Sequence, residues 1–455
     1  MFKRLLIANR GEVAVRVARA ARELSIAPVC VASRADAGAR WLAAMDEVVC
    51  IGEAPPRESY LQMQRIVQAA LQTGCAAIHP GWGFLAENPR FAALCEQHGV
   101  TFVGPSAAVM RTMGLKLPAK AAMRAAGLAV IPGSEGLLRD ADDALAQANE
   151  IGYPVILKAD AGGGGRGMRT CRDASALREA FVAASNEARA AFGNAGLYLE
   201  RYITGGRHIE VQVLGDAFGG AIHLFERECS IQRNHQKLVE ESPSPALSSA
   251  ERAELGARAA AAARAIGYRS AGTIEMLRDE RGRLHFMEMN ARLQVEHPVT
   301  ELITGIDIVK MQIEIAANRA LPLEQSDVVS RGHAIECRIN AEDPERGFAP
   351  SPGRLDAFDI PLDRGPGRVR VDTHLQAGDE VPPDYDSLIA KVIAHADTRE
   401  KAIETLLRAL RGARVAGIAT TIPLHLGVLE SPEMRRGEYD TRAIPGWHPR
   451  AVAAR

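Results

Sequence analysis

The segment EMNARLQVEHP, residues 288–298, places Glu288, Asn290, Arg292, Gln294 and Glu296 at every second position, with Met289, Ala291, Leu293 and Val295 between them. Successive side chains of a strand point to opposite faces, so a strand here would gather two carboxylates, two amides and a guanidinium on one face. Glu275, in AGTIEML, sits on a second predicted strand, and the polar RDERGR between the two predicts a hairpin. Carboxylates on neighbouring strands repel unless something positive lies between them. Mg²⁺ takes carboxylate and phosphate oxygens, so Glu275, Glu288 and Asn290 form a candidate metal site. Arg292 and Gln294 offer donors to a small planar anion. Glu296 beside them is placed as a general base, or as a salt-bridge partner of Arg292. His297 precedes Pro298, where the strand is expected to end, and is read as structural. The plainer alternative is a pair of solvated glutamates on an exposed sheet face.

A second cluster surrounds the glycine loop AGGGGRGM (161–168), which follows the predicted strand YPVILKAD carrying Lys158. Adjacent glycines let backbone N–H groups approach phosphate oxygens closely. Gly-Lys-Ser/Thr is missing, so this is no Walker A loop; a flexible surface loop is the alternative. RNHQK (233–237) packs Arg233, His235 and Lys237 together, as an anion site or a solvated basic turn. These residues point to an enzyme that uses ATP or a similar phosphate ester, Mg²⁺ and a second small anion.

The positioning elements follow from periodicity. RLLIA, APVCVAS, DEVVCIG and AAIHPG read as short strands, alternating with helices at EVAVRVARAAREL and SYLQMQRIVQAALQTG. That alternation predicts a parallel α/β sheet over roughly the first 110 residues. Its first turn, ANRGE, has one glycine, which weakens a dinucleotide-binding reading. A helical stretch, KLPAKAAMRAAGL, comes next. GLYLERYI, RHIEVQVLGD and AIHLFEREC then read as antiparallel strands, and AELGARAAAAARAIG as an Ala-rich helix. Beyond about residue 330, GHAIECRIN, RVRVDTHL, YDSLIAKVIAHA and REKAIETLLRALRGA predict a third, α+β segment. The 455 residues suit two or three domains. A formal net charge of −1 gives no reason to expect nucleic acid or an anionic membrane as partner. Seven cysteines without CxxC spacing fit a reducing, cytoplasmic setting. No apolar run is long enough for a membrane span.

In family order, the stretches IANRGEVAVRVARAARELSI, AIHPGWGFLAEN, FVGPS, GYPVILKADAGGGGRGM, ERECSIQRNHQKLVEESPSP, FMEMNARLQVEHPVTELITGIDIVKMQI, GHAIECRINAED and SPGRL cover nearly the whole chain. This set resembles the biotin carboxylases, ATP-dependent subunits of acetyl-CoA and related acyl-CoA carboxylases of fatty acid biosynthesis. The resemblance implies a fold of α/β and α+β parts. An ATP-grasp unit would be preceded by a parallel-sheet, Rossmann-like domain (1–114) and a helical linker (115–135). The unit itself would comprise a lid (136–203) and a central part (204–330), followed by a C-terminal domain (331–447). It implies that ATP and bicarbonate form carboxyphosphate and that biotin N1 is then carboxylated, with Mg²⁺ or Mn²⁺ as metal. Lys116 and Lys158 would bind ATP phosphates under the lid loop of Gly163, Gly164 and Gly165, with Met168 at its end among the nucleotide-binding positions. Glu200, Ile203, His208 and Gln232 would lie around the nucleoside and His235 near the phosphates. Glu275, Glu288 and Asn290 match metal positions. Lys237, Arg292, Gln294 and the Val295 backbone match a bicarbonate pocket. Glu296 matches the base that deprotonates bicarbonate, and Arg338 the residue that stabilises the biotin enolate.

Four positions depart from the family pattern: Leu115 replaces an aspartate, Asn234 an arginine found in many members, Trp82 a tyrosine, and Ala161 a glycine. None deletes a residue assigned above. The chain has no AMKM-like biotinyl motif, so the biotin is expected on a separate carrier protein, with a carboxyltransferase as further partner and a homodimer as the assembly. Two other readings stay open: an ATP-grasp ligase with an amine acceptor, and a weakly active paralogue that organises a carboxylase complex.

Overall fold

A computed structural model describes residues 1–160, 168–192, 196–362 and 365–448. The N-terminal sequence alternates as expected: β1 (Arg4–Ile7), α1 (Gly11–Glu23), β2 (Ala27–Ser33), β3 (Glu47–Gly52), α2 (Met63–Gln72), β4 (Ala77–His79), α3 (Pro89–Gln97) and β5 (Thr101–Phe102). The strands form a parallel sheet in the order β3-β2-β1-β4-β5. Leu5, Leu6 and Ile7 are fully buried, as expected for a parallel strand covered on both faces. α4 (Ala107–Met113) and α5 (Lys116–Ala125) carry the chain out of this layer.

A smaller three-stranded sheet follows. α6 (Ala141–Ile151) and α7 (Ala174–Phe192) accompany β6 (Val155–Ala159), β7 (Arg169–Cys171) and β8 (Leu197–Arg201), with β6 in the centre. Lys158 and Glu200 stand on the adjacent strands β6 and β8. The glycines Gly163, Gly164 and Gly165 lie outside the described residues.

The central sheet is antiparallel and eight-stranded. It contains β9 (Arg207–Gly215), β10 (Ala221–Arg233), β11 (Gln236–Ser242), β12 (Ser270–Arg278), β13 (Leu284–Asn290) and β14 (His333–Asn340), in the order β13-β12-β9-β10-β11-β14. Two more strands, Leu388–Ala396 and Arg368–Thr373, complete it beyond β14. Residues on both sides of position 330 thus share one sheet. The Ala-rich helix α8 (Ser249–Ala265) covers it, opened by a capping box between Ser248 and Glu251, a motif worth roughly 1 kcal/mol. Its Gly256 is an interior helix glycine, ordinarily unfavourable. Here a Cβ would sit 2.3 Å from the His223 ring, so only glycine allows this close approach to β10.

The β12–β13 hairpin forms as expected, with Glu275 directly opposite Glu288. The expected strand through Glu296 does not. β13 ends at Asn290, residues 291–296 are irregular, and α9 (His297–Thr304) starts at the histidine where a strand end was expected. The physical reason is a long-range competitor. The Ala291 N–H donates to Glu87 Oε1 at 2.8 Å and Arg292 Nε donates to Glu87 Oε2 at 2.9 Å, which draws the chain away from β12 toward the N-terminal layer. Pro298 then suits the first turn of a helix. His297 is fully buried, and its Nδ1 lies 2.7 Å from the Gln294 carbonyl, in keeping with a structural role.

Glu241 on β11 ties the far side of the sheet together. It meets His333 Nε2 at 2.6 Å, Arg399 Nε at 2.6 Å and the Tyr439 hydroxyl. Burial alone would raise its pKa, but His333 and Arg399 outweigh it and bring it down from 4.5 to about 2. A depressed carboxyl stabilises the fold above its unfolded pKa and loses that contribution as pH falls toward the folded value. The shift corresponds to on the order of 3 kcal/mol. Glu241→Gln should therefore melt well below the parent at pH 7. The gap should close between about pH 4.5 and pH 2, as read by melting temperature against pH; a gap independent of pH would refute this.

Candidate active site

One ammonium organises the basin at the middle of the sheet. Lys237, just past the β10–β11 turn, donates to Glu210 Oε2 at 2.5 Å, Glu296 Oε1 at 2.6 Å and Glu275 Oε1 at 2.9 Å. The turn explains how RNHQK achieves this. Asn234 and His235 adopt φ of +48° and +65° between the paired residues Arg233 and Gln236, a geometry that asparagine tolerates well in two-residue hairpins. Asn234 is thus a turn residue. The Arg233 guanidinium lies over the Phe348 ring, 4.1 Å from its centroid, and Lys237 turns inward. The basic solvated turn considered from sequence describes neither Arg233 nor Lys237.

Burial favours the neutral form of each basin carboxyl, yet Lys237 with Arg338 and Arg227 holds Glu296 well below the usual carboxylate range. Glu275 is likewise depressed, by Lys237 and His208 against burial. The three carboxylates in turn raise the Lys237 pKa despite its desolvation. Arg338, from β14, reaches Glu296 Oε2 at 2.7 Å and donates from Nε to Glu240 Oε1 at 2.6 Å. Arg292 Nη1 donates to Gln294 Oε1 at 2.9 Å, and its Nη2 lies 3.3 Å from Asn290 Oδ1. Lys237, Arg292, Gln294, Glu296 and Arg338 therefore converge, although three of them come from an irregular segment rather than a strand. The Val295 carbonyl accepts from Lys391 Nζ at 3.0 Å.

A second group adjoins the first. Lys116, at the start of α5, pairs with Glu288. Lys158 Nζ donates to Glu200 Oε2 at 2.5 Å, and Lys120 Nζ donates to the other oxygen at 2.6 Å. Burial and the Lys158 ammonium pull Lys116 down to about 8, so an anion between these lysines would relieve their mutual repulsion. His208 Nε2 lies 3.2 Å from Glu275 Oε2. Gln232 is the register partner of Lys237. Ile203 follows β8 and Met168 precedes β7. Burial, Lys158 and His208 lower the His235 pKa.

The donor set formed by Glu275, Glu288 and Asn290 is hard oxygen, suited to Mg²⁺ or Mn²⁺. Asn290 Nδ2 donates to Glu275 Oε1 at 2.6 Å, so the amide already sits against one of the carboxylates.

Sequence reasoning missed Glu87, Lys120, Glu210, Arg227 and Glu240. Arg227 is fully buried and donates to Glu210, Gln212, Thr300 and Thr273. Two signals were available. His208, Glu210 and Gln212 alternate as polar residues within RHIEVQV, and Lys116 and Lys120 are spaced i, i+4 on one helix face. Nothing local marks Glu87.

The family description "Biotin carboxylase, N-terminal domain" matches residues 1–110, "Carbamoyl-phosphate synthase L chain, ATP binding domain" matches 116–324, and "Biotin carboxylase C-terminal domain" matches 336–446. Biotin carboxylase 1 of Bacillus subtilis (strain 168) is 52% identical over 445 residues, covering 98% of each chain. The chain belongs to the biotin carboxylase family. It is an ATP-grasp ligase that carboxylates biotin with ATP and bicarbonate. The biotin carboxylase domain of Hydrogenobacter thermophilus 2-oxoglutarate carboxylase superposes with a TM-score of 0.93 at 50% identity, covering 97% of each chain. That structure is a dimer in complex with MgADP, ADP and bicarbonate. Biotin carboxylase from Campylobacter jejuni gives 0.94 at 47% identity, over 97% of this chain and 98% of that one.

Lys237→Met should leave Glu210, Glu275 and Glu296 facing one another without their shared cation. The expected loss is about 3–5 kcal/mol, the usual cost of stranding buried charge, measured by urea denaturation. A loss below about 1 kcal/mol would mean the ammonium does not hold the basin together.

Proposed function

We propose that the basin divides the reaction between two neighbouring sets of residues. Lys116, Lys158 and His235 bind the ATP phosphates, with Glu200, Ile203, His208, Gln232 and Met168 around the nucleoside. Glu275, Glu288 and Asn290 hold Mg²⁺, which when bound offsets phosphate charge. Lys237, Arg292, Gln294 and the Val295 backbone seat bicarbonate, Glu296 removes its proton, and Arg338 faces biotin.

The observation that carries this reading is the sharing of Lys237 and Arg338 by Glu296. A carboxylate held by two cations is a weak base. Bicarbonate seated on Lys237 and Arg292 competes with Glu296 for the Lys237 ammonium, so Glu296 gains basicity where and when its substrate arrives. Holding the anion against the γ-phosphate converts a poor nucleophile into an oriented one. Arg338 can then stabilise negative charge that develops on the ureido oxygen of biotin. Glu240, fully buried, fixes that guanidinium from behind.

Biotin arrives on a separate carrier protein in this reading, and a carboxyltransferase uses the carboxylated product on acetyl-CoA or a related acyl-CoA. The working form is a cytoplasmic homodimer. Among the described residues no helix is long and apolar enough to cross a membrane.

The test is ADP release with Mg·ATP and bicarbonate, with and without biotin or biotinylated carrier. Stimulation by biotin that requires bicarbonate is the expected result; turnover indifferent to both forms of biotin would reject it. Arg338→Ala should suppress biotin carboxylation while leaving more of the bicarbonate-dependent ATPase. Equal loss of both rates would remove Arg338 from the biotin step.

A further inference from the structure

Lys391 is a fully buried lysine on the strand Leu388–Ala396, outside the residues assigned above. It is the register partner of Arg338 on β14. Directly opposed residues in an antiparallel pair share a face. These two residues hold consecutive positions of the anion-binding segment: Arg338 binds the Glu296 carboxylate at 2.7 Å, and Lys391 binds the Val295 carbonyl at 3.0 Å. The peptide unit joining Val295 to Glu296 is planar, so fixing its oxygen fixes the plane from which the Glu296 side chain departs.

Lys391 is itself anchored from the N-terminal layer. Its Nζ lies 3.1 Å from Glu12 Oε2, and Glu12 stands in the first turn of α1. The other oxygen of Glu12 accepts from Trp82 Nε1 at 3.0 Å. The Trp82 loop is pinned in turn by Asn9, whose Nδ2 donates to the carbonyls of Pro80 and Trp82, each at 2.7 Å. Asp372 Oδ2 lies 3.8 Å from the ammonium on its remaining side. Burial disfavours the charged amine, but Glu12, Asp372 and Glu336 outweigh it and keep Lys391 protonated.

We infer that Lys391, held by Glu12 and Trp82, is a positioning residue that sets the Val295–Glu296 peptide and thereby the affinity of the site for bicarbonate. The inference rests on the reading of residues 292–296 as the bicarbonate pocket. It gives Trp82, one of the four departures from the family pattern, a place in the site: its indole N–H orients Glu12, which a phenylalanine at this position would leave without that donor.

The experiment is steady-state ADP release by the full chain carrying Lys391→Met, Glu12→Gln or Trp82→Phe, with Arg292→Ala in parallel, at varied bicarbonate and varied ATP. A misplacement of about 1 Å commonly costs 10- to 100-fold. The KM for bicarbonate should therefore rise about tenfold in Lys391→Met and about threefold in Trp82→Phe, with the KM for ATP within about twofold of the parent. Equal rises in both KM values would show a general structural effect and overturn the inference. So would an unchanged bicarbonate KM in all three variants while Arg292→Ala raises it. If Arg292→Ala also leaves that KM unchanged, the pocket reading itself fails. If Lys391→Met does not fold, Trp82→Phe, altered at a half-buried indole, decides the same comparison.

Discussion

The basin depends on a charge imbalance that one lysine resolves. Glu210, Glu275 and Glu296 come from a strand, its neighbour and an irregular segment, and all three reach the Lys237 ammonium. Buried carboxylates this close repel one another, and even with the ammonium in place burial, Glu296 and Glu275 raise the Glu210 pKa. The arrangement therefore fixes geometry and reactivity together. The cation that makes the fold tolerate Glu296 also sets how strongly that carboxylate holds its charge.

The remaining architecture delivers that ammonium its partners. β9, β12 and β13 present polar side chains to one side of the sheet, and β14 adds Arg338 from beyond β11. The parallel layer contributes Glu87 and Glu12, which reach the 291–296 segment directly or through Lys391. The segment that carries Glu296 is thus irregular because it is held from several directions, each by a charged group. Polar networks of this kind are costly when incomplete and rigid when satisfied.

The departures from the family pattern have uneven consequences. Asn234 suits the positive φ of a tight turn and leaves Lys237 in place. Trp82 joins the Glu12–Lys391 chain. Leu115 immediately precedes α5 and is partly exposed, and nothing in the structure explains its replacement of a charged residue.

Much of this was legible in the sequence because its causes are local. Alternating apolar runs specified the parallel layer, the hairpin pairing Glu275 with Glu288 followed from two patterned strands and a polar turn, and ordered motifs named the family. The period-two pattern from 288 to 296 misled beyond Asn290. Strand periodicity describes which way side chains point only while the backbone keeps its ladder, and Glu87, 204 residues away from Ala291, takes that N–H instead. Glu210, Arg227, Glu240 and Lys391 likewise acquire meaning only from neighbours on other strands. The sequence alone determined which chemical groups the protein carries and which local elements hold them. Tertiary structure alone decided which charges share a partner, because a buried ion is stabilised by what lies within a few ångströms, and chain order does not encode that distance.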